Sequence, residues 1–213
     1  MNEYRKIANV FKFDAKYQNI VDLNEPFKSL ENLTWVGTEK VDGTNIRIIW
    51  DGYKIEIKGR TDNAQFQGEL YDTLSQMFLT KEMEYVFEQI FENKEVVIYG
   101  EGYGPKIQAG GGLYSDKPKF IVFDINIDGH YLKRANVLDI CEKLNLDVVP
   151  ELFSGTIDEA KKFVSKHPSS TINEKHEMEG LVLELPLEIF DKNGNPLKCK
   201  VKYRDMLKGN LIS

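Results

Sequence analysis

The sequence predicts an α+β protein whose sheets are mainly antiparallel. Three observations support this fold class. Short apolar runs rich in β-branched residues turn back at Asp51-Gly52 and at Asp128-Gly129, as is typical of β-hairpins. A segment with apolar residues at helical spacing lies between these two turns. Strands and helices do not alternate regularly along the chain, so a parallel βαβ fold is not expected.

The strands are predicted from period-two patterns and from the turns that bound them. The predicted strand that ends near Tyr99 is expected to run into a glycine-rich loop over residues 100–104. The predicted strands, in chain order, cover residues 35–40, 45–50, 53–58, 95–99, 120–127, 181–185 and 197–203.

Three helices are predicted. The spacing from Thr156 to Glu159 is that of a capping box and indicates the start of the third helix. Val137, Leu138, Cys141 and Leu144 indicate the second helix. The first helix is expected to bury a stripe of apolar residues, which are Met83, Val86, Phe87, Ile90 and Phe91.

Length and composition are those of an ordinary globular protein. The 213 residues are 41% hydrophobic and 29% charged, and no repeat or linker interrupts them, so a single domain over residues 1–213 is expected. No apolar run approaches the length of a membrane span, so no membrane association is expected. Cys141 and Cys199 are too few for a disulfide framework, so a reducing cytoplasm is the expected location.

Near the end of the sequence, basic residues alternate with apolar ones. Lys198, Lys200, Lys202 and Arg204 are predicted to share one face of a strand. On this pattern alone a solvated strand face is the simpler interpretation. The net charge of −6 argues mildly against a protein that coats nucleic acid through bulk electrostatics, but it does not exclude a local basic groove.

Several familiar motifs are excluded. Gly100, Gly102 and Gly104 match part of a dinucleotide-binding fingerprint, but Pro105 follows them and no helix start is evident. No phosphate-binding P-loop occurs. A partial EF-hand pattern that starts at Asp124 lacks its final glutamate. The three histidines do not have metal-ligand spacing, so catalysis, if present, falls to lysines and carboxylates.

Six short motifs occur in one order along the chain. They are Lys40-Val41-Asp42-Gly43-Thr44-Asn45, Gly59-Arg60-Thr61, residues 99–104, residues 120–124, Glu179-Gly180-Leu181-Val182 and Lys200-Val201-Lys202. This ordered set resembles the lysine nucleotidyltransferase superfamily, which comprises ATP-dependent DNA and RNA ligases and mRNA capping enzymes. The sequence is most similar to phage-type RNA ligases that seal nicks, some of which have histidine in place of Asp42.

The resemblance implies a nucleotidyltransferase fold, an ATP-grasp-like ligase adenylation domain with antiparallel sheets flanked by helices. It also implies a three-step reaction. Lys40 attacks the α-phosphate of ATP and releases pyrophosphate, the AMP moves to an RNA 5′-phosphate, and an RNA 3′-hydroxyl then displaces AMP. An amine attacks only when it is unprotonated, which burial and nearby positive charge favour.

The same resemblance assigns the site residues. Lys40, Lys200 and Lys202 are the expected catalytic residues, with Lys198 as an alternative if the register differs by two residues. Asn45, Glu101 and Glu179 are expected to hold Mg²⁺, with Mn²⁺ as an alternative, or its waters or the ribose. The expected nucleotide-binding set is Glu39, Lys40, Asn45, Arg60, Glu101, Phe123, Glu179, Val182, Lys200 and Lys202.

Within this set, the resemblance places the adenine between Phe123 and Val182. Arg60 is expected to contact the sugar or the phosphate of the incoming end. Each of these side chains also has a simpler interpretation, because an aromatic residue in a strand is usually core and a charged residue is usually solvated.

DNA ligases and capping enzymes normally continue past the last motif into an OB-fold domain. The sequence ends shortly after Lys202, so no C-terminal OB domain is expected, and an accessory partner that grips RNA is an alternative. The expected function is an ATP-dependent RNA ligase that joins 3′-hydroxyl and 5′-phosphate ends. The alternatives are a small ATP-dependent DNA ligase and a non-catalytic nucleotide- or RNA-binding module.

Overall fold

The computed structural model of the protein describes residues 3–66, 68–187 and 189–209. Its strands are β1 (Ala8–Asn9), β2 (Phe11–Phe13), β3 (Ile20–Leu23), β4 (Trp35–Glu39), β5 (Thr44–Trp50), β6 (Ile55–Gly59), β7 (Val96–Tyr103), β8 (Lys119–Ile127), β9 (His130–Tyr131), β10 (Glu151–Gly155), β11 (Gly180–Glu184) and β12 (Lys198–Lys202). Its helices are α1 (Gly68–Phe78), α2 (Lys81–Phe91), α3 (Gly111–Tyr114), α4 (Arg134–Lys143), α5 (Ile157–Ser165), α6 (Tyr203–Met206) and a last 3-10 turn (Leu207–Gly209). The predicted α+β class is confirmed.

The chain divides into two units, each with its own core. The first unit comprises Met1–Arg5 and Asp42–Val149, and the second comprises Lys6–Val41 and Pro150–Ser213. The single domain expected over residues 1–213 stays a prediction. Within the described residues, no helix has both the length and the apolar character needed to cross a membrane.

The first unit is built on a five-stranded antiparallel sheet in the order β6-β5-β7-β8-β9. The predicted hairpin at Asp51-Gly52 is confirmed as β5 and β6. Alternate residues of β5, namely Ile46, Ile48 and Trp50, are buried against the helices. One face of the sheet therefore packs against the helices, and the other face carries Asn45, Arg47 and Ile49 of β5.

The predicted helical stripe is confirmed in α2. Phe87 and Phe91 are buried, while Met83, Val86 and Ile90 pack against the same core and are partly exposed. The predicted second helix is confirmed as α4, in which Val137 and Cys141 are buried and Leu138 is exposed. Leu138 follows the buried Val137 by one position, and consecutive residues of a helix point about 100° apart.

The predicted glycine-rich loop over residues 100–104 is wrong for most of its length, because β7 continues to Tyr103. Gly100 and Gly102 are therefore strand residues. A Cβ atom on Gly100 would lie 2.4 Å from the ring of Phe120 and 2.5 Å from the carbonyl oxygen of Ile121, both in β8. The register also shifts between Tyr99 and Gly100. The glycine permits close packing of adjacent strands.

The second unit contains a five-stranded sheet in the order β1-β12-β11-β4-β10 and a separate β2–β3 hairpin. β1 pairs with β12 in parallel, and the other neighbours are antiparallel. The predicted capping box is confirmed, since Thr156 and Glu159 bind each other at the start of α5. Trp35, Leu181 and Val201 are among the residues that fill the core of this unit.

The tight packing of β7 on β8 generates a prediction about stability. Replacing Gly100 with Ala is expected to lower the free energy of unfolding by about 1–3 kcal/mol, because the new Cβ overlaps the Phe120 ring and the Ile121 carbonyl. Urea unfolding measures the effect. Gly68→Ala is the matched control, since its Cβ would meet nothing within 4 Å. Equal stability of the two variants would contradict this account.

Candidate active site

Lys40 follows directly after β4 and is fixed at both its backbone and its side chain. Its backbone N–H donates to the carbonyl oxygen of Gly180 at 2.9 Å. Its ammonium donates to Glu179 Oε2 at 2.5 Å, and the two side chains are only 23% and 16% exposed. Two predicted site residues, 139 positions apart in the chain, therefore form one shielded ion pair.

The sheet of the second unit places further predicted residues on the same face as Lys40. Val182 in β11 lies opposite Thr38 in β4 and Lys200 in β12, and Gly180 lies opposite Lys202. Side chains directly opposite in neighbouring strands share one face. The second unit therefore brings together the predicted residues Lys40, Glu179, Val182, Lys200 and Lys202.

The basic face of β12 is not the solvated strand face that its alternating pattern, taken alone, would indicate. Lys198 and Lys202 are each only 7% exposed, and Lys200 is half-buried. Arg204 does not continue the strand face, because β12 ends at Lys202 and Arg204 belongs to α6. Lys198, the alternative site residue, forms an ion pair with Glu184 at 3.0 Å.

Lys202 is held by two side chains that the sequence motifs did not single out. Its ammonium lies 3.4 Å from Asp205 Oδ2, and both side chains are less than a tenth exposed. The same carboxylate oxygen accepts a 2.7 Å hydrogen bond from Asn9 Nδ2. The aspartate could have been suspected from its position three residues after the predicted lysine. The contact with Asn9 leaves no local signal in the sequence.

Lys200 has a different electrostatic environment. Within the described part of the chain, no carboxylate lies within 4.0 Å of its ammonium. Burial, followed by the positive charges of Lys202, Lys40 and Lys6, lowers the pKa of Lys200 below the ordinary lysine value. A phosphate bound here would add negative charge beside Lys200.

Glu39 points away from this face. It lies opposite Leu181 and therefore on the core side of the sheet, where it is 1% exposed. Its Oε1 accepts a 2.5 Å hydrogen bond from Ser170 Oγ, and its Oε2 accepts bonds from the N–H and hydroxyl of Thr171 at 3.0 and 2.7 Å. These contacts anchor the loop that leads to Glu179. They do not support the expected contact between this carboxylate and the nucleotide.

The first unit contains the remaining predicted residues, and the chain enters it between Val41 and Asp42. Asn45 in β5 lies directly opposite Glu101 in β7. Asn45 Oδ1 is buried and has no hydrogen-bond partner among the residues that the structure describes. An oxygen without a partner beside a carboxylate suits a hard cation or one of its waters. Asp42 accepts a hydrogen bond from the backbone N–H of Gly110 at 3.1 Å.

Phe123 occupies the bulge in β8, between residues that pair with Tyr99 and Gly100. Its ring packs on Tyr4 at a centroid distance of 4.8 Å, and the Tyr4 hydroxyl donates to Asp124 at 2.5 Å. The sequence motifs gave no indication of Tyr4. Arg60 follows the end of β6 and is exposed. The structure leaves the nucleotide contacts expected for Phe123 and Arg60 as predictions.

Two glycines of the motifs are required by close contacts. A Cβ on Gly43 would lie 2.3 Å from the carbonyl oxygen of Gly102. A Cβ on Gly180 would lie 2.1 Å from the carbonyl oxygen of Val201, and its φ of +156° is a conformation that other residues rarely adopt. Gly180 thus allows Glu179 and β11 to approach β12 closely.

A family model described as RNA ligase matches residues 33–200. The chain therefore belongs to the RNA ligase family, and the family predicted from the motifs is confirmed. No protein with a curated description matches the chain.

Solved structures of an RNA ligase from Naegleria gruberi have the same fold. A variant with ATP and Mn has a TM-score of 0.66 and 16% identity, over 98% of this chain and 62% of that chain. A variant with AMP and Mn has a TM-score of 0.62 and 18% identity, over 95% and 61%. The ligase with PPi has a TM-score of 0.63 and 17% identity, over 95% and 60%. This chain thus spans about three fifths of the Naegleria ligase chains.

The pair formed by Lys202 and Asp205 generates a prediction about stability. Asp205→Ala leaves a buried ammonium without its carboxylate, and a loss of about 3–5 kcal/mol in the free energy of unfolding is expected. Adding Lys202→Met should recover much of this loss, because no buried charge then remains. Urea unfolding of the wild type, both single variants and the double variant measures the coupling. Additive losses would show that the two charges do not interact.

The lowered pKa of Lys200 predicts a pH dependence of stability. Between that pKa and the ordinary value of about 10.4, the unfolded chain binds a proton that the folded chain has released, so stability rises with pH. Lys200→Met removes the effect. The variant should be more stable than the wild type near pH 7, and the difference should shrink as the pH approaches about 10.

Urea unfolding at the two pH values tests the expectation for Lys200. Lys94→Met is the control, because Lys94 is an exposed lysine outside the site. A difference between Lys200→Met and the wild type that stays constant with pH would show that the effect comes from packing rather than from charge.

Proposed function

We propose that this protein is an ATP-dependent RNA ligase that joins an RNA 3′-hydroxyl to a 5′-phosphate. The proposal rests chiefly on the pairing of Lys40 with Glu179 at 2.5 Å, on the same sheet face as Lys200 and Lys202. Membership of the RNA ligase family and the fold of the Naegleria ligase, which was solved with ATP and with AMP, support it.

In the first step Lys40 acts as the nucleophile. Its Nζ forms a bond to the α-phosphorus of ATP, the bond from that phosphorus to pyrophosphate breaks, and the amine loses its proton. The Lys40 Nζ is held against the Glu179 carboxylate, so this contact must open before the amine can reach the α-phosphorus. A second partner for Glu179 is therefore part of the proposal.

Lys200 and Lys202 are proposed to bind the α-phosphate, with unequal roles. Lys202 is held in place by Asp205, so its position does not depend on the nucleotide. Lys200, which has no carboxylate within 4.0 Å among the described residues, gains its counter-charge only when phosphate arrives. Fixed cations beside the reacting phosphate stabilise the charge that develops on its oxygens.

A divalent cation, Mg²⁺ or Mn²⁺, is the proposed second partner of Glu179. The Naegleria ligase was solved with Mn. Asn45 Oδ1 and Glu101 suit the same kind of ion, since hard cations bind oxygen. Bound metal would neutralise phosphate charge. The described residues contain no group of three or more His, Cys, Asp or Glu side chains that could hold a metal ion, so waters and phosphates must complete any coordination shell.

The AMP held by Lys40 is then proposed to pass to the RNA 5′-phosphate. The Nζ–phosphorus bond breaks, a phosphorus–oxygen bond forms to the RNA end, and the lysine is regenerated. In the last step the 3′-hydroxyl oxygen attacks the activated 5′-phosphorus and AMP leaves. Arg60 is proposed to contact the incoming end, and Phe123 with Val182 the adenine, on the strength of the resemblance.

The alternatives differ in a measurable way. A DNA ligase would not require a 2′-hydroxyl on the strand that supplies the 3′-end, whereas an RNA ligase distinguishes it. A non-catalytic binding module would have no need of Lys40 as nucleophile. An accessory partner that binds RNA is a further part of the proposal. A cytoplasmic location is proposed because Cys141 and Cys199 are buried free thiols.

Labelling with ATP tests the proposal directly. Incubation with α-labelled ATP and Mg²⁺ should leave acid-labile label on the denatured wild-type chain. Lys40→Ala should carry no label, because the attacking amine is absent. The same variant should still seal an RNA whose 5′-end is already adenylated, because that step does not need the attacking amine.

The control for labelling is Lys143→Ala, which removes an exposed lysine of α4 and should label like the wild type. Absence of label from both ATP and GTP on the folded wild-type protein would overturn the catalytic proposal. Loss of sealing of the adenylated RNA by a folded Lys40→Ala variant would instead show that Lys40 has a role beyond the first step.

A further inference from the structure

The turn between β2 and β3 holds an exposed aromatic ring. Tyr17 is 69% exposed, and one face of its ring stacks on Phe13 with a centroid distance of 5.3 Å and an interplanar angle of 21°. The ammonium of Lys208 lies over the Phe13 ring, 5.6 Å from its centroid. The three side chains form what we call the hairpin platform. None of them takes part in the proposed reaction.

The backbone holds Tyr17 in an unfavourable conformation. Its φ of +56° lies in the left-handed region, which bulky residues rarely occupy. Asp14 maintains the turn, since its oxygens accept hydrogen bonds from the backbone N–H of Gln18 and from Asn19 Nδ2, each at 2.8 Å. The Tyr17 N–H also donates to the carbonyl oxygen of Asp14 at 3.0 Å. The ring is thus presented by an ordered turn.

The surroundings of the hairpin platform are basic. Lys12 and Lys16 are exposed on the same hairpin. Among the described residues, neither they nor Lys208 have a carboxylate within 4.0 Å, whereas the nearby Asp22 is paired with Lys28. Lys12 lies opposite Asp22, whose charge offsets part of its own, so the surroundings of the stacked rings are basic chiefly through Lys16 and Lys208.

We propose that the hairpin platform binds an unpaired nucleotide of single-stranded RNA, which stacks on the open face of Tyr17 while the lysines contact backbone phosphates. Every base offers a π-face, and proteins that bind single strands combine aromatic rings with positive charge. The cores of protein–protein interfaces are instead depleted of lysine, which disfavours a protein partner. The choice of RNA rests on the proposed function.

The test measures binding rather than ligation. Fluorescence anisotropy gives the affinity for a fluorescein-labelled single-stranded RNA oligonucleotide. Tyr17→Asn should weaken binding about 5- to 150-fold, because stacking on one base contributes roughly 1–3 kcal/mol. Asparagine is chosen because it tolerates the left-handed conformation, so the turn is kept. Tyr17→Trp preserves a stacking ring and should keep most of the affinity.

One control variant and one further test variant make the measurement specific. Tyr53→Ala removes another exposed tyrosine, 83% exposed at the turn of a different hairpin, and should bind RNA like the wild type. Lys208→Gln should weaken binding and reduce the slope of log affinity against log salt by about 0.7, if it contacts one phosphate. Labelling by ATP should be unchanged in the Tyr17 and Tyr53 variants.

The outcomes separate this proposal from the proposed function. Unchanged RNA affinity of Tyr17→Asn, or an equal loss in Tyr53→Ala, would overturn the hairpin platform even if the wild type is labelled by ATP. Weakened binding in Tyr17→Asn alone would support it even if no labelling occurs. A Tyr17→Asn variant with unchanged RNA affinity and an altered oligomeric state in gel filtration would assign the surface to self-association instead.

Discussion

The pairing of β11 with both β4 and β12 is the constraint on which the second unit's site depends. This central strand sets the register that brings Lys40, Lys200 and Lys202 to one face, and Glu179 directly precedes it. A slip of one residue between β12 and β11 would turn Lys200 and Lys202 toward the core. Gly180 makes the pairing close enough, because any side chain there would collide with the carbonyl oxygen of Val201.

Placing several cations on one shielded sheet face lowers the stability of the fold. The protein offsets this loss for some of the lysines and not for others. Lys40 and Lys202 each have a carboxylate, and the carboxylate beside Lys202 is itself held by Asn9. Lys200 has no such partner among the described residues, and its lowered pKa reflects burial beside other cations. Sites built to bind anions commonly sacrifice stability in this way. The unevenness itself indicates where the protein leaves charge for a ligand to neutralise.

Local patterns predicted most of the strands, the helices α2, α4 and α5, and the positions of the motifs, because these depend on residues close in sequence. Alternation also predicted that Lys200 and Lys202 share a face. The same rule, applied to the predicted strand over residues 35–40, would have turned Glu39 away from Lys40, as the structure does. The glycine-rich stretch misled the strand prediction, because Gly100 serves close packing rather than a turn.

The parts that local patterns missed are contacts between distant segments. Tyr4 covers Phe123 and binds Asp124 across 120 residues of sequence, and Asn9 reaches Asp205 across 196. In both cases a residue near the start of the chain supports a residue beside a motif. The motifs therefore show which chemistry the family performs, while Tyr4, Asn9 and Asp205, which help to fix the geometry, lie outside them. Both supporting side chains, Tyr4 and Asn9, lie in the first ten residues. This segment therefore helps to hold residues of both units in place, although it precedes the first motif.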